Sequence, residues 1–333
     1  MLRKTLLITL LIALINACAP QATPTVAPVV TEVVATQAPT EAPTLAPTIA
    51  ATPTFSFPMF FVDDLGRKVN FDQAPQRIVS LAPSNTEILF AVGAGSQVVG
   101  RDQNSDYPEA AKALTDIGST YEALNTELIV SLKPDLVLAA EINTLDQVKA
   151  LEAVGLTVYY FKNPTTIEEM YNNMQIVGQM TGHEADAAKA IEGYKARVAT
   201  VDEKIATATE KPTAFYELDA TDPAKPYTAG KGTFITLLIE RAGGKNIAAD
   251  IDGYPQLSLE QVVAANPDFI ILGDAAYGIT PESVAARPGW SGLNAVTKNQ
   301  IVPFDDNLAS RPGPRLVDGL EALAKLLHPE LFK

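Results

Sequence analysis

The chain has 333 residues, 39 acidic against 25 basic side chains, and a formal net charge of −14. This charge argues against binding to nucleic acid and against adhesion to anionic lipid through a basic surface. A single cysteine, Cys18, excludes an intramolecular disulfide, and residues 55–333 suffice for two domains of ordinary size.

The amino terminus has the pattern of an export signal. A basic start and an apolar run over residues 5–15, too short to span a bilayer, end at Asn-Ala-Cys18. We interpret residues 1–17 as a signal peptide and Cys18 as the acylated first residue, because a small residue before cysteine is similar to the lipobox of bacterial lipoproteins. We therefore expect an extracytoplasmic protein anchored to the cell membrane by the lipid on Cys18.

Residues 18–54 consist mainly of Pro, Thr, Ala and Val, and they contain no Lys or Arg. Such a segment lacks the periodicity that buries a face, so we expect an extended tether of roughly 3 Å per residue. Its Thr-Pro content leaves O-glycosylation open.

From residue 55 onward, short apolar runs alternate with helical patterns, which predicts parallel sheets covered by helices. We assign residues 55–180 to an N-terminal lobe. Its predicted strands cover 77–82, 98–100, 136–140 and 157–161, and its predicted helices cover 83–93 and 145–154.

A proline-free helix is predicted over 184–208, because strong helix formers dominate and apolar residues recur along one stripe. We assign residues 181–209 to a connecting helix and 210–333 to a C-terminal lobe. In this lobe the alternation of short apolar runs with helical patterns begins again. The predicted strands there cover 213–218, 269–272 and 301–304, with a closing helix over 316–327.

One sequence motif, which we call the repeated phrase, occurs twice in the chain. In each copy a glutamate, Glu127 or Glu260, precedes at the same spacing a Pro-Asp pair that opens a buried-strand pattern. Each glutamate follows a good N-cap, Asn125 or Ser258, and the helix dipole there favours a carboxylate by roughly 0.3–1 kcal/mol. Capping alone does not require glutamate at matching places in two lobes, so we interpret the pair as docking residues for a partner. Glu87, which has capping-box spacing from Ser84, is interpreted as a helix cap.

The sequence resembles the substrate-binding proteins of ABC importers for iron-siderophores, haem and vitamin B12, and among them most the cobalamin-binding members. The resemblance rests on RIVSLAPSNTE (77–87), SDYP (105–108), LNTE (124–127), KPD (133–135), PYTAG (226–230), GGKNI (243–247), YPQ (254–256) and SRPGPR (310–315). It implies an α/β fold of two Rossmann-like lobes with parallel sheets, joined by a single long rigid helix.

The resemblance also implies a monomer that carries a large metal-chelate molecule to an ABC permease dimer with its ATPase. One carboxylate on each lobe then pairs with permease arginines, and by motif these carboxylates are Glu127 and Glu260. The carried molecule is cargo, and no cofactor is implied.

Four tyrosines are predicted at the carboxyl ends of strands, where α/β proteins bind ligands: Tyr107, Tyr121, Tyr227 and Tyr254. Aromatic tips from both lobes suit a flat, partly apolar ring such as a corrinoid. The family's cleft tryptophans are replaced here by Tyr121 and Tyr254, so haem stays open, since tyrosine is also a haem ligand. A ferric siderophore is the other alternative, and its candidate cations are Arg101, Lys231, Arg311 and Arg315. Arg311 could equally pair with Asp305 or Asp306.

Other classes find less support in the sequence. A metal site requires converging ligands, and the two histidines, His183 and His328, are interpreted as surface or capping residues. An anchored hydrolase lacks a Gly-x-Ser-x-Gly elbow and a histidine in a strand-end loop. A ligand-sensing lipoprotein remains an alternative, although it has no need of docking carboxylates on both lobes. We therefore expect a binding protein with no catalytic residues.

Overall fold

The computed structural model of the protein describes residues 56–333. The predictions for residues 1–17 and for 18–54, including lipidation of Cys18, lie outside the described residues. Among those described, no helix combines the length and the apolar character needed to cross a bilayer.

The N-terminal half, residues 56–181, is built on a parallel sheet. A hairpin that the sequence did not predict precedes it. The strands are β1 (Met59–Val62) and β2 (Lys68–Phe71), which form the hairpin, and β3 (Ile78–Ser80), β4 (Val98–Arg101), β5 (Thr115–Asp116), β6 (Leu136–Ala140) and β7 (Val158–Phe161). The sheet order is β5-β4-β3-β6-β7 with every pair parallel. Strands β3, β6 and β7 are buried throughout, which explains their continuous apolar patterns.

Helices cover this sheet. They are α1 (Pro83–Ala91), α2 (Thr126–Ser131), α3 (Leu145–Ala153) and α4 (Ile167–Thr181), with 3₁₀ turns at Ala94–Gln97 and Glu109–Ala113. Helix α1 begins at a proline, whose fixed φ and missing N–H suit a first helical position. Gly155, just past α3, has φ +85, the left-handed conformation that ends many helices.

A long helix, α5 (Glu184–Ile205), follows directly. It buries Ala187, Ile191, Val198 and Val201, the apolar stripe read from the sequence. The approach of α5 to α4 is close: a Cβ on Gly178 would lie 2.4 Å from that of Ala187. Glycine is therefore required on α4 at this contact.

The C-terminal half, residues 206–333, repeats the parallel sheet. Its strands are β8 (Thr213–Asp219), β9 (Tyr227–Thr228), β10 (Lys245–Asn246), β11 (Phe269–Leu272) and β12 (Ile301–Pro303). The order β10-β8-β11-β12 is parallel, and β9 pairs antiparallel with β8. The helices are α6 (Phe234–Arg241), α7 (Leu259–Ala265), α8 (Pro281–Ala285), α9 (Asn294–Thr297), α10 (Asn307–Ser310) and α11 (Leu316–Leu327), with 3₁₀ turns at Gly273–Tyr277 and Pro329–Phe332.

The core of the molecule continues through both halves. One cluster of buried side chains contains Leu138 of β6, Val198 of α5 and Leu320 of α11. Arg197 of α5 adds polar contacts, because its guanidinium donates at 2.9 Å to Glu321 of α11. The architecture is two α/β lobes with parallel sheets, as predicted.

Candidate functional site

A cleft of about 730 Å³ lies between the two halves. Its walls are segments that follow the carboxyl ends of β3, β6 and β7 on one side and of β11 and β12 on the other. The lining residues are Ala82, Pro83, Ser84, Asn104, Tyr121, Ala140, Glu141, Ile142 and Asn163 from the N-terminal half and Phe234, Tyr254, Tyr277, Asp306, Asn307, Ser310, Arg311 and Pro312 from the C-terminal half. This is the edge at which parallel α/β sheets bind ligands.

Three of the five residues predicted to bind ligand line this cleft: Tyr121, Tyr254 and Arg311. The other two lie elsewhere. The ring of Tyr107 lies against the guanidinium of Arg315, 4.3 Å from the ring centroid. Tyr227 lies on β9, which pairs with β8.

Tyr277 is a cleft residue that the sequence reasoning missed. It ends the 3₁₀ turn that follows β11, and 88% of its surface is exposed. Tyr277 lies in a loop at the carboxyl end of a predicted strand, as the four predicted tyrosines do, so the sequence carried the same signal for it. Tyr121, Tyr254 and Tyr277 together give the cleft aromatic side chains from both halves.

The cleft phenols are stabilised in their protonated form. Burial raises the pKa of Tyr121, and the carboxylate of Asp102 raises it further. Burial also raises the pKa of Tyr254, with a further contribution from Asp306. At neutral pH both hydroxyls are therefore hydrogen-bond donors.

The charged groups of the cleft are mostly acidic. Glu141 accepts the backbone N–H of Asn163 at 2.9 Å. Asp306 accepts the hydroxyls of Tyr216 at 2.9 Å and Ser310 at 2.6 Å, and burial raises its pKa. A cleft of this kind offers carboxyl and phenol groups to a ligand.

Arg311 is already paired with acids of the N-terminal half. Its Nη1 lies 2.6 Å from Asp106 and 3.7 Å from Glu87. The alternative prediction, in which Arg311 pairs with Asp305 or Asp306, is wrong, because the ion pairs of its guanidinium are with Asp106 and Glu87.

The interpretation of Glu87 as a helix cap is also wrong. The N-cap of α1 is Ala82, and no side chain caps it, because Pro83 occupies the first helical position and places Ser84 inside the helix. The carboxylate of Glu87 is 1% exposed and accepts a hydrogen bond from Arg315 at 2.7 Å. A buried carboxylate requires such a counter-charge.

The two copies of the repeated phrase adopt the same local structure. Asn125 caps α2 and Ser258 caps α7, each accepting a backbone N–H of the first turn. Glu127 and Glu260 therefore occupy the same helical position, and both are exposed.

An exposed valine accompanies each glutamate. Val130 and Val263 stand one turn after Glu127 and Glu260, and each is 40% exposed. The preceding residues, Ile129 and Val262, are fully buried. The two halves thus present the same pair of exposed side chains.

The aspartates of the phrase have a structural role. Asp135 accepts the N–H of Arg77 at 2.9 Å, just before β3, and Asp268 accepts that of Thr213 at 3.1 Å, at the start of β8. Each Pro-Asp pair therefore fastens the end of the helix that carries the glutamate to the first strand of its parallel sheet.

Within residues 56–333, no group of three or more His, Cys, Asp or Glu side chains is arranged to hold a metal ion. His183 precedes α5 near Asp186. His328 is buried rather than on the surface, with its Nε2 3.2 Å from the carbonyl of Gly243. Gly243 has a positive φ, and a Cβ there would collide with this imidazole.

The chain is similar to known proteins in both sequence and fold. Residues 78–308 match the sequence profile of the family described as periplasmic binding protein. An uncharacterized ABC transporter substrate-binding lipoprotein of Bacillus subtilis is 36% identical over 83% of this chain and 88% of its own length. A cobalamin-binding protein of Halobacterium salinarum is 32% identical over 82% of this chain and 75% of its own. The periplasmic haem-binding protein of Roseiflexus superposes with a TM-score of 0.69 at 29% identity, covering 77% of this chain and 99% of that one.

Proposed function

Because the chain belongs to the periplasmic binding protein family, whose members bind solutes rather than convert them, we propose that it captures a corrinoid between its lobes and delivers it to an ABC importer. The observation that carries this proposal is the cleft, lined by three tyrosines from both halves. We also propose that residues 55–180 and 210–333 form the two lobes and that residues 181–209 form the helix that connects them.

The cleft suits a broad ring with polar edges. Its volume of about 730 Å³ lies within the usual range for small-molecule sites, about 300–1,000 Å³. Tyr121, Tyr254 and Tyr277 offer ring faces for apolar contact and hydroxyls for hydrogen bonds. The amides around a corrin ring are good acceptors for protonated phenols.

Charge argues against an anionic chelate. Arg311 is the only Lys or Arg in the cleft lining, and its guanidinium is paired with Asp106 and Glu87. Glu141 and Asp306 would repel a ligand that carries free carboxylates. A ferric siderophore is therefore a weaker candidate than a corrinoid.

Haem is the second candidate, since a haem-binding protein shares the fold and tyrosinate can hold haem iron. The raised pKa values of Tyr121 and Tyr254 oppose formation of tyrosinate. The acidic cleft also disfavours propionate groups. Both features support the corrinoid over haem.

Docking is assigned to the matched glutamates. Exposed Glu127 and Glu260 offer each permease subunit a carboxylate for a charge-assisted pair with arginine. Val130 and Val263 would add apolar contact beside each pair. The ATPase of the importer completes the set of partners.

Anchoring through lipidated Cys18 completes the proposal. It is supported by the signal-like amino terminus and by the lipoprotein of Bacillus subtilis. Wild-type protein should sediment with membranes and carry the mass of the lipid, whereas the Cys18→Ser variant should do neither. Unmodified Cys18 in the exported wild type would contradict the anchor.

The cargo is tested by calorimetry on the full chain with Cys18→Ser. We expect cyanocobalamin to bind with a micromolar or lower Kd and a ferric hydroxamate to give no heat. Haemin is followed in parallel by its absorption band. Binding of haemin without binding of any corrinoid would replace the proposed cargo, and no binding of either would overturn it.

A further inference from the structure

Two arginines of the C-terminal half form ion pairs with acidic residues of the N-terminal half beside the cleft. Arg311 and Arg315 lie in the segment joining α10 to α11, and their partners, Glu87 and Asp106, belong to the N-terminal half. The side chains are largely buried: Glu87 is 1% exposed, Arg315 11% and Arg311 15%. We call Arg311 and Arg315 the arginine clamp.

The clamp is closely fitted. A Cβ on Gly313, between the two arginines, would lie 3.2 Å from Oε2 of Glu87 and 3.4 Å from Cα of Ser84. Tyr107 contacts the face of the Arg315 guanidinium, an arrangement that favours a cation. The close approach of Gly313, the ring of Tyr107 and the ion pair of Arg315 with Glu87 together hold this segment of the C-terminal half against α1.

The arginine clamp depends on charged groups from both halves, because its arginines and their acidic partners affect one another's charge. Burial raises the pKa of Glu87, and the hydrogen bond and charge of Arg315 oppose that rise. Burial would also raise the pKa of Asp106, but the hydrogen bond and charge of Arg311 outweigh it, so this pKa is lowered. Moving the halves apart would break these charge-assisted contacts, whereas removing one partner by substitution would leave a buried charge without its counter-charge.

The position of the clamp links it to the ligand space. Arg311 lines the cleft. On the other side, Tyr194 of α5 lies close enough that, after burial and Asp318, the charge of Glu87 contributes to raising its pKa. The clamp thus lies between the cleft and the connecting helix.

We propose that Arg311 and Arg315 are positioning residues that fix the angle between the two halves of the free protein and so hold the cleft tyrosines of the two halves at one spacing before a ligand binds. This role goes beyond the proposed cargo, because it concerns the ligand-free protein. It also differs from stiffness of α5, because it resides in ion pairs that single substitutions remove.

The test measures the distance between the halves in the full chain with Cys18→Ser. Spin labels are attached at Ala150→Cys on α3 and Glu282→Cys on α8, both exposed, and distance distributions are recorded without ligand. We expect one narrow distribution for the parent and a broad one for Arg315→Gln and for Glu87→Gln. The double variant should be no broader than Glu87→Gln alone, because Glu87→Gln already removes the pair that Arg315→Gln breaks.

Three further variants decide the outcome. Arg67→Gln removes an arginine whose partners, Asp63 and Glu152, lie in its own half, and it should leave the distribution narrow. Arg315→Lys, which keeps a positive charge beside Glu87 and Tyr107, should give a narrower distribution than Arg315→Gln, which a merely steric role would not produce. If circular dichroism shows that Arg315→Gln does not fold, Asp106→Asn, at the exposed end of the network, replaces it. An unchanged width in the clamp variants, or equal broadening in Arg67→Gln, would overturn the proposal.

Discussion

The N-terminal and C-terminal halves share the exposed glutamate and valine of the repeated phrase but differ inside, at the ends of the first strands of their parallel sheets. Strand β3 ends at hydroxyl groups: Thr86 Oγ1 lies 2.8 Å from the hydroxyl oxygens of both Ser80 and Ser105. Strand β8 instead leads to a buried ion pair, in which Arg287 donates to Glu217 at 2.5 and 2.8 Å. The repeated surface phrase therefore does not require a repeated interior.

The buried charge of the C-terminal half has a further member. Asp274, which follows β11, is buried, and its Oδ2 accepts the N–H of Ala220. Burial, followed by the nearby carboxylate of Glu217, raises the pKa of Asp274 to about 6. The two halves therefore match at the exposed positions of the repeated phrase, whereas their interiors pair buried polar groups in different ways.

The largest expected effect tests whether the two docking sites are equivalent. Loss of two charge-assisted contacts predicts that Glu127→Ala with Glu260→Ala lowers uptake of cyanocobalamin by reconstituted importer vesicles by about 100-fold or more. Each single variant should show part of this loss of uptake. Cobalamin affinity should stay unchanged, as should uptake by the control Glu122→Ala with Glu282→Ala. Normal uptake by the double variant would refute docking.

The next effect tests whether both halves contribute to the cleft. Tyr121→Ala and Tyr254→Ala should each weaken cyanocobalamin binding by about 10-fold or more, because each removes an aromatic face and a donor. Tyr277→Ala should do the same. Tyr227→Ala, outside the cleft lining, is the matched control in calorimetry. Equal losses for Tyr227 and Tyr254 would contradict the assigned cleft.

A third measurement tests the buried charge of the C-terminal half. A carboxyl whose pKa is raised in the folded state stabilises the fold at low pH, and this contribution is lost as pH rises from about 4 to about 6. Asp274→Asn should therefore match the wild type in urea unfolding at pH 4 and exceed it by about 1–2 kcal/mol at pH 7. A variant less stable than the wild type at pH 7 would show that the ionised carboxylate is needed.

The smallest effect compares the two caps. Asn125→Ala and Ser258→Ala should each lower the free energy of unfolding by about 1 kcal/mol, since each orphans a backbone N–H. Ser258 also belongs to a capping box, because Gln261 bonds back to it, so its loss should be the larger. Thermal unfolding measures both. A larger loss for Asn125→Ala would reverse this comparison.

Local patterns explain what could be predicted from the sequence. The apolar stripe of α5, the bounds of α11 and the caps of α2 and α7 depend on neighbouring residues, and they agree with the structure. Strands β5, β9 and β10 have only two residues each, too few to show a period.

The role of Glu87 could not be read locally, because its partner Arg315 lies 228 positions away in the chain. The spacing from Ser84 favoured a cap, whereas the distant ion pair decides where the carboxylate lies. For the same reason the four predicted tyrosines could not be separated. Whether an aromatic residue faces the cleft, as Tyr121 does, or an arginine, as Tyr107 does, depends on the packing of the other half.

The hydrogen bonds of Asp135 and Asp268 have a consequence for the affinity of the proposed docking. They tie the ends of α2 and α7 to the starts of β3 and β8, so each of the two glutamates, Glu127 and Glu260, has a fixed place on its own half. A partner with two matching sites would be engaged bivalently, and its second contact would form at the high effective concentration set by the first. Two individually weak ion pairs then provide avidity, and loss of either would release the protein readily.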